Sequence, residues 1–335
     1  MNQMNRQQVV ATVLENRQLC REHYRLVLHV PEFAPTEPGQ FIQVSCRPME
    51  LAGEFSTELQ WDEEGRPEVC GAELAGRMAL LRRPFSLAGR KQMTNGVELH
   101  LIHRVGGVGT QWLSNLAAGE QVGVLGPLGN RFDQSRQDGT AILVGGGVGI
   151  PPMLYLAERL AGRKAVAFCG ALSRDLLPLT IVEGGGPPPP HIAEAPASQE
   201  RRPPVYSVEE FSRHGIPTVI STDDGSFGFR GFVTQALERY LDAYLTDIEA
   251  RDRAVIYTCG PEGMMKRVAE IAVNRQIECQ VAVERAMACG MGTCQSCVIR
   301  VRKPDPAKPP MAGKDWCYRL ACTDGPVFKG SDLLW

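Results

Sequence analysis

The sequence lacks any run of 18 apolar residues, and residues 1–19 contain no apolar segment of the kind that a secretion signal needs. It also lacks a strong excess of one charge, because its 335 residues carry a formal net charge of −2. A nearly neutral chain shows no electrostatic signature of binding to nucleic acid or to an acidic lipid surface. We therefore expect a soluble, cytoplasmic protein of two or three domains.

The chain has 11 cysteines, which in a protein of this length favour metal or redox chemistry over the disulfides of small secreted domains. Cys289, Cys294 and Cys297 have C-x4-C-x2-C spacing on a glycine-rich turn, and Cys322 follows at a distance. Three close cysteines and one distant cysteine are typical of the plant-type ligand set of a 2Fe–2S cluster. Glycines in the turn let backbone N–H groups approach the sulfur atoms of such a cluster.

Alternatives remain open for these cysteines. A structural zinc ion usually takes paired C-x2-C units, and Cys289 has no close partner of that kind. The thiols could also be free. Cys317 competes with Cys322 for the fourth ligand position, and we favour Cys322 because the Thr-Asp-Gly-Pro that follows it predicts a tight turn.

Residues 1–135 contain short β-like runs separated by turn residues, with no long helical period before Gln111. This pattern predicts an antiparallel barrel or sandwich. We interpret residues 48–80, which are charged and weakly periodic, as an insertion outside the core. The predicted strands are residues 8–14, 24–30, 40–45, 96–102 and 120–125.

Two stretches of this part carry candidate chemistry. In Arg83-Pro84-Phe85-Ser86 a guanidinium can clamp a pyrophosphate, a ring can stack on a planar ligand, and a hydroxyl can bind a ring nitrogen. Strand geometry would place Arg83 and Phe85 on one face, although an arginine beside an apolar strand is often only a solvated edge. Residues 102–104 precede a glycine-rich turn and a helix, which together form either an anion site or an ordinary turn.

Residues 136–278 alternate buried strands with helical stretches, which predicts a parallel sheet with helices on both faces. A strand runs into the glycine turn of residues 145–149, which does not match G-x-G-x-x-G but still permits close approach of a phosphate or a ring. Ligands of such sheets bind at the carboxyl ends of the strands, where Asp223-Asp224-Gly225 and Cys259-Gly260-Pro261 lie. Considered alone, the first is also consistent with a surface turn, and Cys259 with a buried thiol.

The remaining sequence contains a proline-rich stretch and the cysteine motif. Residues 184–204 have a composition that cannot form a packed core, and we expect an exposed insertion without a catalytic role. In residues 279–335, one predicted strand leads through Glu284 to Cys289 and another leaves Cys297. Glu284 is either a surface charge or a functional carboxylate.

Taken together and in this order, the motifs resemble the electron transfer subunits of dihydroorotate dehydrogenase B, a family of the ferredoxin–NADP reductase superfamily. The resemblance implies a multidomain β and α/β fold. It would consist of an antiparallel FAD-binding β-barrel (residues 1–135), a parallel-sheet NAD-binding α/β domain (residues 136–278) and a small C-terminal 2Fe–2S domain (residues 279–335). The motifs that carry it are Pro38-Gly39-Gln40-Phe41, Arg83-Pro84-Phe85-Ser86, Gly109-Thr110, residues 145–152, residues 222–226, Cys259-Gly260-Pro261, residues 284–289 and residues 322–328.

The resemblance also implies roles for individual residues. Cys259 and Glu284 would be catalytic. The residues implied for FAD are Arg83, Pro84, Phe85, Ser86, Ile102, His103, Arg104, Gly109 and Thr110; those implied for NAD are Gly145, Gly146, Gly147, Gly149, Asp224, Gly260 and Pro261; and those implied for the 2Fe–2S cluster are Cys289, Cys294, Cys297 and Cys322.

The implied function is electron transfer in pyrimidine biosynthesis. A catalytic dihydroorotate dehydrogenase subunit with FMN would oxidise dihydroorotate, and electrons would pass through the 2Fe–2S cluster and FAD to NAD+. We expect that subunit as the partner, in a heterotetramer. Two other functions stay open: a ferredoxin:NADP-type or sulfide-dehydrogenase-like reductase subunit with another partner, and a non-enzymatic binding protein on a reductase scaffold. Asp223 and Asp224 weakly favour NAD over NADP.

Overall fold

The structure is a computed structural model that describes residues 6–49, 58–61, 64–65, 67–70, 79–182, 203–302 and 315–335. The insertions predicted at residues 48–80 and 184–204 lie for the most part outside the described residues. Residues 303–314 also lie outside them.

The N-terminal part forms a seven-stranded antiparallel sheet and a separate two-stranded hairpin. The strands of the large sheet are β1 (Gln7–Cys20), β2 (His23–Val30), β3 (Phe41–Val44), β6 (Arg83–Ser86), β7 (Gly89–Met93), β8 (Gly96–Arg104) and β9 (Gln121–Leu128). The hairpin consists of β4 (Glu58–Trp61) and β5 (Pro67–Cys70). The order across the large sheet is β6-β3-β9-β1-β2-β8-β7. Helix α1 (Val108–Ser114) lies between β8 and β9 in the chain.

Alternation of apolar and polar residues explains why these segments form strands with one buried face. In β8, Val97, Leu99 and Leu101 are buried in the core of the sheet, whereas Glu98 and His100 between them are only half-buried. Successive side chains of a strand point to opposite faces, so this pattern fixes which face is turned inward.

The second part is an eight-stranded mixed sheet with helices. Its elements are β10 (Ala141–Gly146), α2 (Ile150–Arg159), β11 (Ala165–Ala171), β12 (Val205–Tyr206), α3 (Glu209–Ser212), β13 (Thr218–Thr222), β14 (Phe229–Arg230), α4 (Val233–Tyr244), α5 (Ile248–Arg253), β15 (Val255–Cys259), α6 (Glu262–Arg275), β16 (Glu278–Ala282) and β19 (Val327–Lys329). The order is β12-β13-β11-β10-β15-β16-β19, with β14 beside β13. The central strands β13, β11, β10, β15 and β16 are parallel.

Helices cover both faces of this sheet. Ile142 and Val144 of β10 belong to the same buried cluster as residues of α4 and α6. Leu143, which points to the other face, belongs to a second cluster with residues of α2. The predicted parallel sheet with helices on both faces is therefore confirmed.

Two strands near the C-terminal end complete the same sheet. β16, which begins at the predicted domain boundary, is parallel to β15, and β19 pairs with β16 in the antiparallel direction. A small separate sheet contains β17 (Val298–Val301), β18 (Cys317–Leu320) and β20 (Leu333–Leu334). Residues assigned by sequence to a third domain thus contribute to the sheet of the second, and the domain boundaries stay predictions.

The arrangement of β10 creates a crevice. From β10 the chain continues through β11 to β13 on one side of the sheet, and then through β15 to β16 on the other side. The order of the strands therefore reverses between β10 and β15. Ligands of parallel sheets bind at such a switch point, outside the carboxyl ends of the strands. Among the described residues, no helix combines the length and apolar character that crossing a membrane requires.

Candidate functional site

A cavity of about 680 Å³ lies where the first sheet, the carboxyl ends of β10 and β15, and the segment after β16 meet. Its size suits a small-molecule or cofactor site. The sequence-predicted residues that the structure brings to this cavity are Arg83, Pro84, Phe85, Ser86, Ile102, His103, Arg104, Thr110, Gly149, Cys259 and Glu284.

The first wall of the cavity is β6, which is the whole Arg83-Pro84-Phe85-Ser86 motif. It pairs with β3 in antiparallel register, with Phe85 opposite Ile42. All four motif residues are half-buried, so each keeps an exposed part towards the cavity. The motif therefore presents a cationic group, an aromatic ring and a hydroxyl on one strand, as the sequence predicted.

His103 on β8 is the most unusual residue of this wall. Its side chain is 2% exposed, and neither ring nitrogen has a hydrogen-bond partner among the described residues. Tyr24 stacks on the ring at a centroid distance of 5.8 Å, and Phe85 meets it edge-on at 6.1 Å. Burial, and to a smaller extent His23, lower the pKa of His103 to about 4, so the ring is neutral near pH 7.

The ring nitrogens of His103, which lack hydrogen-bond partners among the described residues, bear on whether the cavity suits a flavin. A buried polar atom without a partner is costly, and such atoms usually bind a ligand or water. A neutral imidazole carries one donor and one acceptor, and an isoalloxazine has both kinds of group on its edge. Together with the arginine and the aromatic ring of β6, the residues present fit FAD.

The glycine-rich turn before α1 is stabilised by hydrogen bonds to Thr110 and by close packing of Gly109. The N–H groups of Gly106 and Gly107 donate to the Thr110 hydroxyl at 2.9 and 3.2 Å, which caps the helix. A Cβ atom on Gly109 would lie 2.9 Å from that of Ala79, so Gly109 permits close packing and does not line the cavity. Of the two predicted residues here, only Thr110 reaches the cavity.

The second wall consists of the ends of β10 and β15. A Cβ atom on Gly149 would overlap the carbonyl group of Cys259, and one on Gly146 would lie 2.6 Å from the sulfur of Met264. Gly260 has a φ of 151°, which favours glycine. These glycines allow the two strand ends to pack tightly. Gly149 and Cys259 line the cavity, whereas Gly145, Gly146, Gly147, Gly260 and Pro261 do not.

Cys259 and Glu284 meet at this wall. Burial, and next the charge of Glu284, raise the pKa of the Cys259 thiol to about 12, so the thiol is protonated near pH 7. Glu284 lies at the exposed rim, and loss of surrounding water raises the pKa of its carboxyl. Neither group is therefore an activated nucleophile near pH 7, and a catalytic role of either stays a prediction.

Asp224 lies apart from the cavity, at the carboxyl end of β13. Its carboxylate accepts hydrogen bonds from the backbone N–H and the hydroxyl of Ser226, at 2.9 and 2.6 Å. These bonds lower the pKa of Asp224. A role of Asp224 towards NAD stays a prediction.

The cysteine loop begins directly beside the cavity. Met287 lines the cavity, and Cys289 follows two residues later, a separation of at most about 7 Å along the chain. The N–H groups of Met291 and Cys294 both donate to the sulfur of Cys289 at 3.4 Å. Gly290 and Gly292 have φ values of 69° and 87°, which let the loop turn around that sulfur.

Cys322 joins this loop, whereas Cys317 lies elsewhere. The N–H of Ala321 donates to the carbonyl of Cys297 at 3.1 Å, which brings the next residue, Cys322, beside Cys297. Burial, and next a hydrogen bond with Cys297, raise the pKa of Cys322 to about 12. Cys317 pairs with Val301, at the opposite end of β17 from Cys297.

The remaining member of the set, Cys294, is exposed, and its hydrogen bonds with Ser296 and then Cys289 lower the pKa of its thiol to about 6. Among the described residues, no three His, Cys, Asp or Glu side chains are gathered as ligands of a single metal ion. A 2Fe–2S cluster has two irons and four thiolates in total, and N–H groups directed at sulfur are typical of it. The four-cysteine set and its donors fit that cluster.

The cavity also has lining residues that sequence reasoning did not assign. Several of them stand inside motifs that carried the family resemblance, and their position there was the available signal. They are Phe41, Val148, Pro151, Ala282, Val283, Arg285, Ala286, Met287 and Pro326.

Comparisons with known proteins agree with this geometry. Residues 284–334 match the family model for the iron–sulfur cluster binding domain of dihydroorotate dehydrogenase B. The dihydroorotate dehydrogenase B (NAD(+)) electron transfer subunit of Geobacillus sp. (strain WCH70) is 33% identical over 327 residues, which cover 96% of this chain and 97% of the relative. The subunit of the same name from Enterococcus faecalis (strain ATCC 700802 / V583) is 30% identical over 339 residues, covering 99% and 100%.

Solved structures show the same fold. That of an NADH-dependent reduced ferredoxin-NADP oxidoreductase has a TM-score of 0.63 and 23% identity, covering 97% of this chain and 90% of its own. The structure of Amycolatopsis cytochrome P450 reductase GcoB has a TM-score of 0.52 and 22% identity, covering 82% and 68%.

Fold and site together define a class of protein with the fold of these two reductase structures and a C-terminal segment that matches an iron–sulfur cluster binding domain. Within that class, the chain belongs to the family of dihydroorotate dehydrogenase B electron transfer subunits. The sequence predictions of the family, of the fold class, and of a flavin- and iron–sulfur-dependent oxidoreductase subunit are confirmed.

Proposed function

We propose that this chain transfers electrons from the FMN of a dihydroorotate dehydrogenase catalytic subunit to NAD+, in a heterotetramer with that subunit. One observation carries the proposal: a single cavity has the β6 motif on one wall and Gly149 with the end of β15 on another, and Met287, two residues before Cys289, also lines it. Three cofactors could therefore exchange electrons over short distances in one chain.

The proposed FAD site uses the first wall of the cavity. Arg83 would bind the pyrophosphate through its planar guanidinium, which suits phosphate oxygens. Phe85 would stack on the isoalloxazine, Ser86 would bind a ring nitrogen, and the neutral ring of His103 would supply the hydrogen bond that it otherwise lacks. Ile102, Arg104 and Thr110 would complete the site.

The proposed nicotinamide site uses the second wall. Gly149 lets the end of β15 approach closely because it has no side chain, and the protonated Cys259 thiol would be a small neutral neighbour for a planar ring. Ala282 and Val283 add apolar surface that excludes water from the space between the two rings. When bound, FAD supplies both one- and two-electron steps, whereas the cluster carries one electron.

The proposed cluster ligands are Cys289, Cys294, Cys297 and Cys322. Their loop holds N–H groups towards the sulfur of Cys289, and these groups stabilise negative charge there. Cys294 is exposed, so the cluster would lie near the surface, where a partner subunit can approach it.

A second candidate is a related reductase subunit that uses NADP and another partner. One observation favours it: the guanidinium of Arg174, at the end of β11, lies 5.2 Å from the ring of Phe227, beside the Asp224 turn. An arginine at this position of a dinucleotide site accommodates a 2′-phosphate. Comparison of kcat/KM for NADH and NADPH separates the two candidates, and a preference for NADPH would favour the second.

The proposal is tested by reconstitution. Anaerobically purified protein is mixed with the FMN-containing catalytic subunit, dihydroorotate and NAD+, and NADH formation is followed at its absorbance band. We expect NADH formation only when both subunits are present, and loss of it with Cys297→Ser. A protein that holds FAD and a cluster and is reduced by NADH, but gives no dihydroorotate-dependent activity with the catalytic subunit, would contradict the choice of partner.

A further inference from the structure

Gln43 is a polar residue in an otherwise apolar strand. All four residues of β3 are buried, and the side chain of Gln43 is 1% exposed. Burial of an amide is unfavourable unless the amide is hydrogen-bonded, so a glutamine here must have a specific contact.

That contact is with the cysteine loop. The Nε2 group of Gln43 donates to the carbonyl of Ala288 at 3.2 Å, and Ala288 directly precedes Cys289. A Cβ atom on Gly290, the residue after Cys289, would lie 2.8 Å from Cδ and Oε1 of the same side chain. The carboxamide therefore touches the main chain on both sides of Cys289.

The other side of β3 connects Gln43 to the flavin motif. β3 pairs with β6, and Gln43 lies opposite Pro84, between the pairs that hold Arg83 and Phe85. Gln43 thus links two parts of the site. Its backbone lies in β3, the strand paired with the Arg83-Pro84-Phe85-Ser86 motif, and its side chain binds the loop that contains Cys289.

We infer that Gln43 is a positioning residue for Cys289: it fixes the cysteine loop against the flavin-bearing strands and so keeps the N–H groups of the loop directed at the Cys289 sulfur. The inference rests on the proposed function, because it takes Cys289 as a cluster ligand. The Oε1 atom has no partner among the described residues, so the single hydrogen bond from Nε2 carries the link.

The consequence is electrochemical. Hydrogen bonds to cluster sulfur atoms stabilise the more negative, reduced cluster and so raise its potential. Release of the loop would lengthen the bonds from Met291 and Cys294 to the Cys289 sulfur. We therefore expect a lower cluster potential without Gln43, whereas the flavin potential should stay unchanged because β6 keeps its pairing with β3.

The experiment uses full-length protein with its cofactors. Gln43→Met keeps about the size of the side chain and removes the donor, and Gln43→Leu removes the donor with a shorter apolar side chain. The control is Gln280→Met, because Gln280 is a similarly buried glutamine whose hydrogen bonds go to Asp133 and Glu278. Iron and flavin contents, the EPR spectrum of the reduced cluster and both midpoint potentials are measured for each.

We expect both Gln43 variants to keep their flavin, to shift the EPR signal and to lower the cluster potential, while Gln280→Met matches the wild type in these properties. Unchanged potentials and EPR spectra in both variants would overturn the inference, as would equal shifts in the control. Loss of flavin and cluster together in both variants would assign Gln43 to the stability of the seven-stranded sheet and would also overturn the inference. If the wild-type protein holds neither flavin nor cluster, the proposed function itself fails.

Discussion

Cys259 and Glu284 come from different segments and are electrostatically linked at one wall of the cavity. Burial, and after it the charge of Glu284, raise the pKa of the Cys259 thiol to about 12. The pKa of the Glu284 carboxyl is itself raised by the loss of water around it. This wall therefore favours the neutral forms of both groups.

The first prediction concerns the reactivity of Cys259. Because its thiol stays protonated near pH 8, we expect it to resist alkylation by iodoacetamide in the folded protein. Cys294 in cluster-free protein is the control, since it is exposed and its pKa is lowered to about 6. Mass mapping of alkylated peptides gives both rates, and comparable modification of the two thiols would contradict the assignment.

The second prediction concerns the stability of Glu284→Gln. A carboxyl with a raised pKa binds its proton more tightly in the folded state, so the ionised form destabilises the fold above that pKa. We expect Glu284→Gln to be more stable than the wild type at pH 7. The difference should disappear as the pH falls through the raised pKa towards the ordinary value of 4.5. Urea unfolding at a series of pH values measures this, and a variant that is less stable at pH 7 would contradict it.

The third prediction concerns His103. Its pKa is lowered from 6.5 to about 4, so between these values the unfolded chain binds a proton that the folded chain does not. The free energy of unfolding should therefore fall as the pH drops from 7 to 5, and His103 should account for roughly 2 kcal/mol of that fall. His103→Phe should remove that part of the pH dependence, whereas His29→Gln on the neighbouring strand should not.

The same variant tests the flavin role of His103. Loss of the only polar atoms of the ring should weaken FAD binding without unfolding the seven-stranded sheet, because phenylalanine preserves the stacking with Tyr24. Titration of flavin-free protein with FAD measures this affinity. Wild-type FAD affinity in His103→Phe would show that the unpaired ring nitrogens do not face the cofactor.

The fourth prediction concerns the close approach of β10 and β15. Gly149→Ala places a methyl group against the carbonyl of Cys259, and overpacking of this kind costs about 1–3 kcal/mol. We expect a lower melting temperature and a higher KM for NADH. Gly106→Ala is the control, because a Cβ atom there meets no neighbour within 4 Å. Equal behaviour of the two variants would contradict the role given to Gly149.

The fifth prediction separates the two candidates for the fourth cluster ligand. Cys322 lies beside Cys297, whereas Cys317 lies at the other end of β17. Cys322→Ser should lose the 2Fe–2S cluster, and Cys317→Ser should keep it. Iron and sulfide per chain, together with the EPR spectrum, decide between them, and loss of the cluster in Cys317→Ser alone would reverse the assignment.

Local patterns predicted many of the strands because strand formation depends on neighbours in sequence. The alternation in β8 indicated its buried face, and the Arg83-Pro84-Phe85-Ser86 motif forms a strand whose residues line the cavity. The sequence also predicted the glycine turn after β10, because the glycines that close packing requires lie within one short stretch of the chain.

Contacts between distant segments could not be predicted in the same way. Gly109 lies in the predicted anion turn, and its close packing against Ala79 and Cys46 depends on residues distant in the chain. The pairing of β16 with β19, which extends the sheet beyond residue 278, depends on two segments separated by the whole cysteine loop. The hydrogen bond from Gln43 to Ala288 joins residues 245 positions apart, and no local sequence pattern predicts it.

We propose that one chain holds a flavin and a 2Fe–2S cluster close enough to share electrons from NADH. An anaerobic titration of the purified protein with NADH, followed by its visible spectrum, tests this most directly. FAD takes two electrons and the cluster one, so we expect bleaching of both sets of bands, complete at about 1.5 equivalents of NADH. A colourless protein that contains zinc, or flavin bands that bleach while the cluster stays oxidised, would contradict the account.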